Sequence, residues 1–196
     1  MEATLRVFIG IEVTDGLIQA VSPFMAELAK QRVPGLRPTG VYNLHLTLKF
    51  LGDISPNELR RSILAVSRAV STLRPFTVNI GGVEFLPSVQ QAQVLSCALQ
   101  GCRKNLIRLH SAVEQAMLPL GFPKGKGYFR PHITLARLNR RIAPDGRRLI
   151  VKRFSGFSGP YASDFLVDRV SFVQSILSPR GSKYQSLTMI PLGKDE

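Results

Sequence analysis

Apolar residues along this chain switch between a period of two and a period of three to four. TLRVFIGIEV, residues 4–13, is β-branched and apolar, and Thr14, Asp15 and Gly16 end it, which predicts a buried strand. Leu17, Val21, Phe24, Met25 and Leu28 then recur at the spacing of one helix face. Pro23 lies inside that pattern, where its missing N–H predicts a kink or the start of a second helical part. VPGLRPTG, 33–40, reads as turn, and His45 to Leu51 as a strand closed by Gly52. SPNE, 55–58, has the form of a capping box with proline at the first helical position, ahead of a stripe made by Leu59, Ile63, Val66 and Val70.

The second half continues in the same style. FTVNIGGVEF (76–85) and AQVLSCAL (92–99) predict strands, the first bent or bulged at Gly81 and Gly82. Leu106, Leu109, Val113, Met117 and Leu120 mark a helix that Gly121 closes, with Pro123 beyond. A glycine-rich basic loop leads into a strand over 131–138. FLVDRVSFVQSIL (165–177) predicts one strand, and the turn SPRGS (178–182) joins it to YQSLTMIPL (184–192) as a hairpin. Strand, helix, strand and helix in the first half answer strands, helix and strand in the second. The expected fold is α+β, with two pseudo-symmetric lobes of antiparallel β-sheet, outer helices and a cleft between them. We take residues 1–196 as a single bilobal domain, a length that buries about 70% of the unfolded chain's surface.

Two strands share more than period. HLTLKFLG begins at His45, and HITLAR begins 87 positions later at His132. Threonine occurs eight times, so a given histidine has threonine two places on with a chance of roughly 4%. Two such hits among three histidines occur by chance in about half a percent of cases. Side chains alternate along a strand, so His45, Thr47 and Lys49 are expected on one face and Leu46, Leu48 and Phe50 on the other. His132 and Thr134 likewise oppose Ile133 and Leu135. Two imidazoles across a cleft suit acid and base work near neutral pH, since one can deprotonate water while the other protonates a leaving oxygen. Threonine hydroxyls can donate to phosphoryl oxygens whose charge builds in the transition state. His110, inside the second-half helix and without a threonine partner, reads as structural. No metal site or cofactor is expected, because two histidines supply too few ligands.

Composition narrows the partner. Lysine and arginine number 26 against 13 acidic residues, a net +13, concentrated in GFPKGKGYFRPH (121–132) and ARLNRRIAPDGRRLIVKR (136–153). Such a field attracts polyanions. Cys97 and Cys102 have no partner pair at zinc-like spacing and suit a reducing, cytoplasmic setting. The N-terminal stretch, MEATLRVFIGIEVTDG, has an apolar run too short, with Glu12 inside, for a signal or membrane segment. A monomer with no membrane association is expected.

These motifs resemble those of the two-histidine phosphoesterases, and within them the RNA 2′,3′-cyclic phosphodiesterases, also called LigT-like or 2′-5′ RNA ligase proteins. RVFIGIEV is similar to the family's opening strand and GSKYQSLTMIPL to its closing one. The resemblance implies hydrolysis of a terminal 2′,3′-cyclic phosphate on RNA to a 2′-phosphomonoester, without a metal. It makes His45 the proton donor to the leaving 3′ oxygen and His132 the proton acceptor from water. Thr47 and Thr134 would hold the phosphate, with Arg137 neutralising it. Strand parity sets Arg137 opposite His132, so the strand must twist or end near Ala136; Arg130 has the matching parity and is the second choice. The chain lacks tryptophan, so an aromatic platform for the terminal base would come from Tyr42, Phe129 or Tyr184. For Tyr184 the core is the first reading and the cleft the second. Reverse joining is expected only when RNA ends are concentrated or held together. The rivals are a related phosphoesterase acting on a small cyclic nucleotide phosphate or on RNA 3′ ends, and a non-catalytic RNA-binding protein.

Overall fold

The computed structural model describes residues 3–31, 33–139, 142–154, 163–179 and 181–193. Met1 and Glu2 of the opening run, Arg140 and Arg141 of the basic stretch and Arg180 of the turn lie outside the described residues. In chain order the elements are β1 Leu5–Glu12, α1 Asp15–Lys30, β2 Leu36–Pro38, β3 His45–Ile54, α2 Pro56–Val70, β4 Phe76–Leu86, β5 Val94–Gln100, α3 Arg103–Met117, β6 Ile133–Leu138, α4 Pro144–Phe154, β7 Ser163–Val167, β8 Arg169–Ser178 and β9 Gly181–Pro191. The class is α+β, as the alternation of periods predicts.

The strands form one antiparallel sheet in the order β7-β4-β5-β6-β3-β1-β8-β9, with β2 paired on β6. Four strands lie on either side of the β3–β6 seam, and the two motif strands are the pair that meets there. The seam is short. Only Leu46 and Ile133 are bridged across it, and both side chains are fully buried. One sheet face carries Ile9, Leu46, Ile133 and Cys97 in a core shared with Leu17, Phe24 and Leu28 of α1, Val66 and Val70 of α2, and Leu106, Leu109 and Val113 of α3. The other face is left for chemistry.

Local signals account for the helix starts. Ser55 Oγ accepts from the Glu58 N–H while the Glu58 carboxylate accepts from the Ser55 N–H at 2.8 Å, which completes the capping box of α2. Gly121, left-handed at φ +88°, ends the turn that follows α3. The predicted bend at Gly81 and Gly82 is a register shift between β4 and β5.

Several expectations need correction. Of the two outcomes expected at Pro23, no second helical part begins there: α1 is one helix from Asp15 to Lys30, and Leu17, Val21, Phe24, Met25 and Leu28 bury a continuous stripe across it. Gly52 does not end β3; it sits within the strand at φ +79° beside an irregularity in the β1 pairing. The run 165–177 is two strands broken at Asp168, with β7 pairing β4 at one end of the sheet and β8 pairing β1 near the other. β2 and α4 were not predicted.

Candidate active site

The seam sets the motif residues together. Continuing the Leu46–Ile133 register by one residue each way puts His45 across from Thr134 and Thr47 across from His132. Side chains of facing residues lie on the same side of a sheet, so the two imidazoles and two hydroxyls form a four-cornered patch on the open face. Gly10, across from Thr47 on β1, leaves this patch uncrowded. A Cβ there would lie 2.8 Å from the Leu46 carbonyl oxygen.

Both imidazoles are held in the same way. His45 Nδ1 lies 2.7 Å from the carbonyl oxygen of Asn43, and His132 Nδ1 lies 2.8 Å from that of Arg130. A carbonyl only accepts, so Nδ1–H donates in each case and Nε2 is the nitrogen left for a substrate. Their surroundings differ. His45 packs against Phe8 with ring centroids 4.7 Å apart and meets Tyr184 edge-on at 4.9 Å. Burial holds its pKa below the ordinary 6.5; the Asn43 bond opposes this, while the positive charge of Arg137 and the other histidine push it lower still. That His45 feels both groups follows from their convergence on one patch.

Arg137 reaches the patch by a route that simple alternation misses. Thr134 pairs with Ser96 and Ala136 with Leu95, so Leu135 is an extra residue in β6. Beyond this bulge Arg137 pairs with Val94, which shares a face with Ser96 and therefore with Thr134. The parity objection is met by the bulge. Arg130 is engaged elsewhere, donating from Nη1 to the Pro87 carbonyl at 2.8 Å.

The same device overturns the expectation for Lys49. On β3, Thr47 pairs with Gly10 but Lys49 pairs with Ile9, leaving Leu48 as the extra residue. Lys49 is thereby turned away from Thr47 and into the protein, where its Nζ donates to Glu114 Oε2 at 2.8 Å and to the Pro123 carbonyl at 2.7 Å. Phe50, expected in the core, pairs with Phe8 on the open side and is 71% exposed. Glu114 also accepts from the Gly125 N–H, and His110 lies beside it with its ring stacked on Phe129, centroids 3.9 Å apart. This network fastens the glycine-rich basic loop to β3 and α3. Phe129 is thus already stacked, whereas Tyr42 is exposed. Tyr184 stands on the open face beside His45 rather than in the core, since Tyr184, Ser186 and the Val173 that pairs with Ser186 line the same hollow as His45.

Two hollows flank the patch. One of about 230 Å³ contains His45 with Phe8, Glu12, Tyr42, Val173 and Tyr184. Another of about 420 Å³ contains Thr47 and His132 with Phe50, Lys126, Tyr128 and Arg130. The histidines face these neighbouring spaces from opposite ends of one patch, not a single enclosed cavity. Burial pushes the Cys97 thiol up to about 12, helped by the charge of Glu84, so it is no nucleophile. Among the described residues no three histidine, cysteine or acidic side chains gather as a metal-binding group.

What the sequence reading missed are Phe8 and Phe50, the rings flanking the motif on the open face, and the Lys49–Glu114 pair. Gly10, interrupting the β-branched run of β1, was the available sign of a close backbone approach beside His45.

Paired imidazoles and hydroxyls, delivered to one sheet face by two strands of like pattern, define the class as a two-histidine protein. Residues 16–176 match the model of the 2′-5′ RNA ligase superfamily, and the chain belongs to that superfamily. Among curated relatives, the RNA 2′,3′-cyclic phosphodiesterase of Archaeoglobus fulgidus is 29% identical over 93% of this chain and 98% of its own. That of Methanothermobacter thermautotrophicus is 25% identical over 96% and 99%. Among solved structures, a Thermus thermophilus protein superposes with a TM-score of 0.77 at 22% identity, over 98% of this chain and 100% of that one. E. coli LigT complexed with 3′-AMP gives 0.77 at 19% identity, over 96% and 98%. These structural likenesses speak to the fold.

Proposed function

We propose that the chain is an RNA 2′,3′-cyclic phosphodiesterase that opens a terminal cyclic phosphate to a 2′-phosphomonoester. The observation that carries this reading is the four-cornered patch of His45, Thr47, His132 and Thr134 across the seam, and relatives of that name spanning more than nine-tenths of the chain support it. In it, His132 Nε2 takes a proton from water as the water oxygen bonds to phosphorus. The P–O3′ bond breaks and the leaving oxygen receives the proton of His45 Nε2. Thr47 and Thr134 donate to the non-bridging oxygens, and Arg137 offsets their charge. Each proton transfer contributes typically 10²–10⁴-fold, about 3–5 kcal/mol of barrier.

The lowered pKa of His45 bears on its role as donor. An anion bound beside the ring favours the imidazolium, so the phosphate itself supplies the proton-holding state that burial and Arg137 oppose in the free protein. The terminal nucleoside occupies the His45 hollow, where Tyr42 and Tyr184 offer ring faces; a stacked base contributes about 1–3 kcal/mol. The same reading takes the protein as a monomeric single bilobal unit, because both motif histidines come from one chain. It assigns the activity to the cytoplasm, where free thiols such as Cys97 and Cys102 persist. No helix among the described residues is long and apolar enough to cross a membrane.

The test is turnover of an oligoribonucleotide ending in a 2′,3′-cyclic phosphate, in EDTA, beside 2′,3′-cyclic NMP. A 2′-phosphate product from both, with the oligonucleotide preferred, is expected. RNA binding without product would replace the enzyme with a docking protein, and preference for the mononucleotide would move the substrate to small cyclic phosphates.

A further inference from the structure

At the His45 end of the patch, strand pairing brings in a residue that neither motif contains. β6 meets β3 only at Leu46 and Ile133, and past that point β2 takes the place of β3 along the same edge of β6. Pro38 pairs with Ala136 and Arg37 with Arg137. The Thr39 N–H donates to the Leu135 carbonyl and the Asn139 N–H to the Gly35 carbonyl, each at 2.8 Å, on either side of that last pair. By the alternation of an antiparallel ladder, Arg37 and Arg137 are then a hydrogen-bonded pair with Cα atoms about 5.5 Å apart. Facing residues share a side of the sheet, so Arg37 stands with Arg137 on the open face.

Like charges directly opposite one another weaken a sheet. Both arginines are exposed, and among the described residues no carboxylate pairs with either guanidinium. An anion between them turns the repulsion into binding, and the planar guanidinium fork matches phosphate oxygens. Position says which anion. Along the line of β3 and β2 the open face carries Thr47, His45 and then Arg37, and along β6 it carries His132, Thr134 and then Arg137. The added rung is two to three residues past the His45–Thr134 rung, about 7–10 Å at the usual strand rise, which is the scale that separates successive phosphates of one nucleic-acid strand. It lies on the side of the leaving 3′ oxygen, where the terminal ribose and its 5′ oxygen are.

We propose that Arg37 forms a second anion subsite that holds the phosphate on the 5′ oxygen of the terminal nucleotide, with Arg137 between it and the phosphate that reacts. The proposal rests on the cyclic phosphodiesterase reading. A nucleoside 2′,3′-cyclic phosphate has no group for this subsite, whereas every RNA end longer than one nucleotide does. Contacts to phosphate oxygens carry no sequence information, so the subsite favours a polynucleotide end over a mononucleotide without reading its bases.

The experiment compares kcat/KM for a 2′,3′-cyclic NMP, for the same compound carrying a 5′-phosphate, and for a dinucleotide ending in a 2′,3′-cyclic phosphate. Wild type should favour the second and third over the first. In Arg37→Gln that ratio should fall roughly tenfold, with Arg37→Lys keeping most of it, and the slope of log KM against log salt for the dinucleotide should flatten by roughly 0.7. Because the substitution relieves a like-charge pair, Arg37→Gln should unfold at the same or a higher urea concentration. Equal loss on all three substrates would overturn the proposal by placing Arg37 at the reacting phosphate, and a lower urea midpoint would give it a structural role instead. Preference for the dinucleotide without preference for the 5′-phosphorylated mononucleotide would overturn it by assigning the gain to the second nucleoside. Wild type that opens all three equally well would overturn it and leave the phosphodiesterase reading standing, whereas wild type that opens none would remove both.

Discussion

β3 and β6 carry the same alternation of histidine, apolar residue and threonine, yet the protein surrounds them differently. On β3 the imidazole is wedged between Phe8 and Tyr184, and burial lowers its pKa. Just before β6 the imidazole follows Arg130 and Pro131 at the edge of a basic loop, with its Nδ1–H donating to the Arg130 carbonyl oxygen. Identical local chemistry sets the spacing of a ring and a hydroxyl, while the neighbouring strands decide what each ring can do. The repeat explains why the histidines match; the surroundings explain why burial holds the His45 pKa down, against the proton-donor role proposed for it until a phosphate anion lies beside the ring.

Removing either ring is the largest way to break the comparison. His45→Ala and His132→Ala should each lower kcat by roughly 10²–10⁴. If the pair acts as a unit, the double variant should be little worse than the poorer single one, as single-turnover rates would reveal. Next comes the anchor that ties β3 to the loop before β6. Glu114→Ala leaves the buried Lys49 ammonium without its carboxylate and should cost about 3–5 kcal/mol of stability in a urea titration.

Gly10→Ala sharpens the comparison by crowding the β3 side alone. A methyl group 2.8 Å from the Leu46 carbonyl must push β1 or β3 aside, at about 1–3 kcal/mol of stability, with kcat falling as His45 shifts. The smallest effect is in pH. A donor must be protonated, so kcat/KM should decline as pH rises through the His45 pKa of the free protein, below 6.5. The bound phosphate raises that pKa, so the decline in kcat should come at higher pH. Arg137→Gln removes a charge that lowers the His45 pKa and should move the kcat/KM limb upward.

What the sequence disclosed followed from how local each cause was. The capping box of α2, the stripe of α3 and the closing glycine at 121 are set by neighbours within a turn, and they were readable. The motif faces were readable only as far as strict alternation held. Lys49, Phe50 and Arg137 exchange the faces that parity assigns them, because Leu48 and Leu135 are extra residues relative to β1 and β5. A bulge belongs to a pair of strands, and one strand's sequence does not contain its partner. α4 escaped for another reason, since its buried residues, Ile150 and Phe154, make too thin a stripe amid basic neighbours, although Pro144 marked its start. Asp168 divides β7 from β8 inside an apolar stretch, and the break reflects which edge each strand joins rather than composition.

The convergence of both histidines on one anion is tested most directly by following the imidazole proton resonances of His45 and His132 while a 2′-phosphorylated nucleotide is added. The expected result is that both sets of resonances move together, with one dissociation constant and one equivalent bound, and that the His45 ring titrates at higher pH in the complex than in the free protein. Movement of one ring alone, or two separate dissociation constants, would contradict a shared phosphate between them.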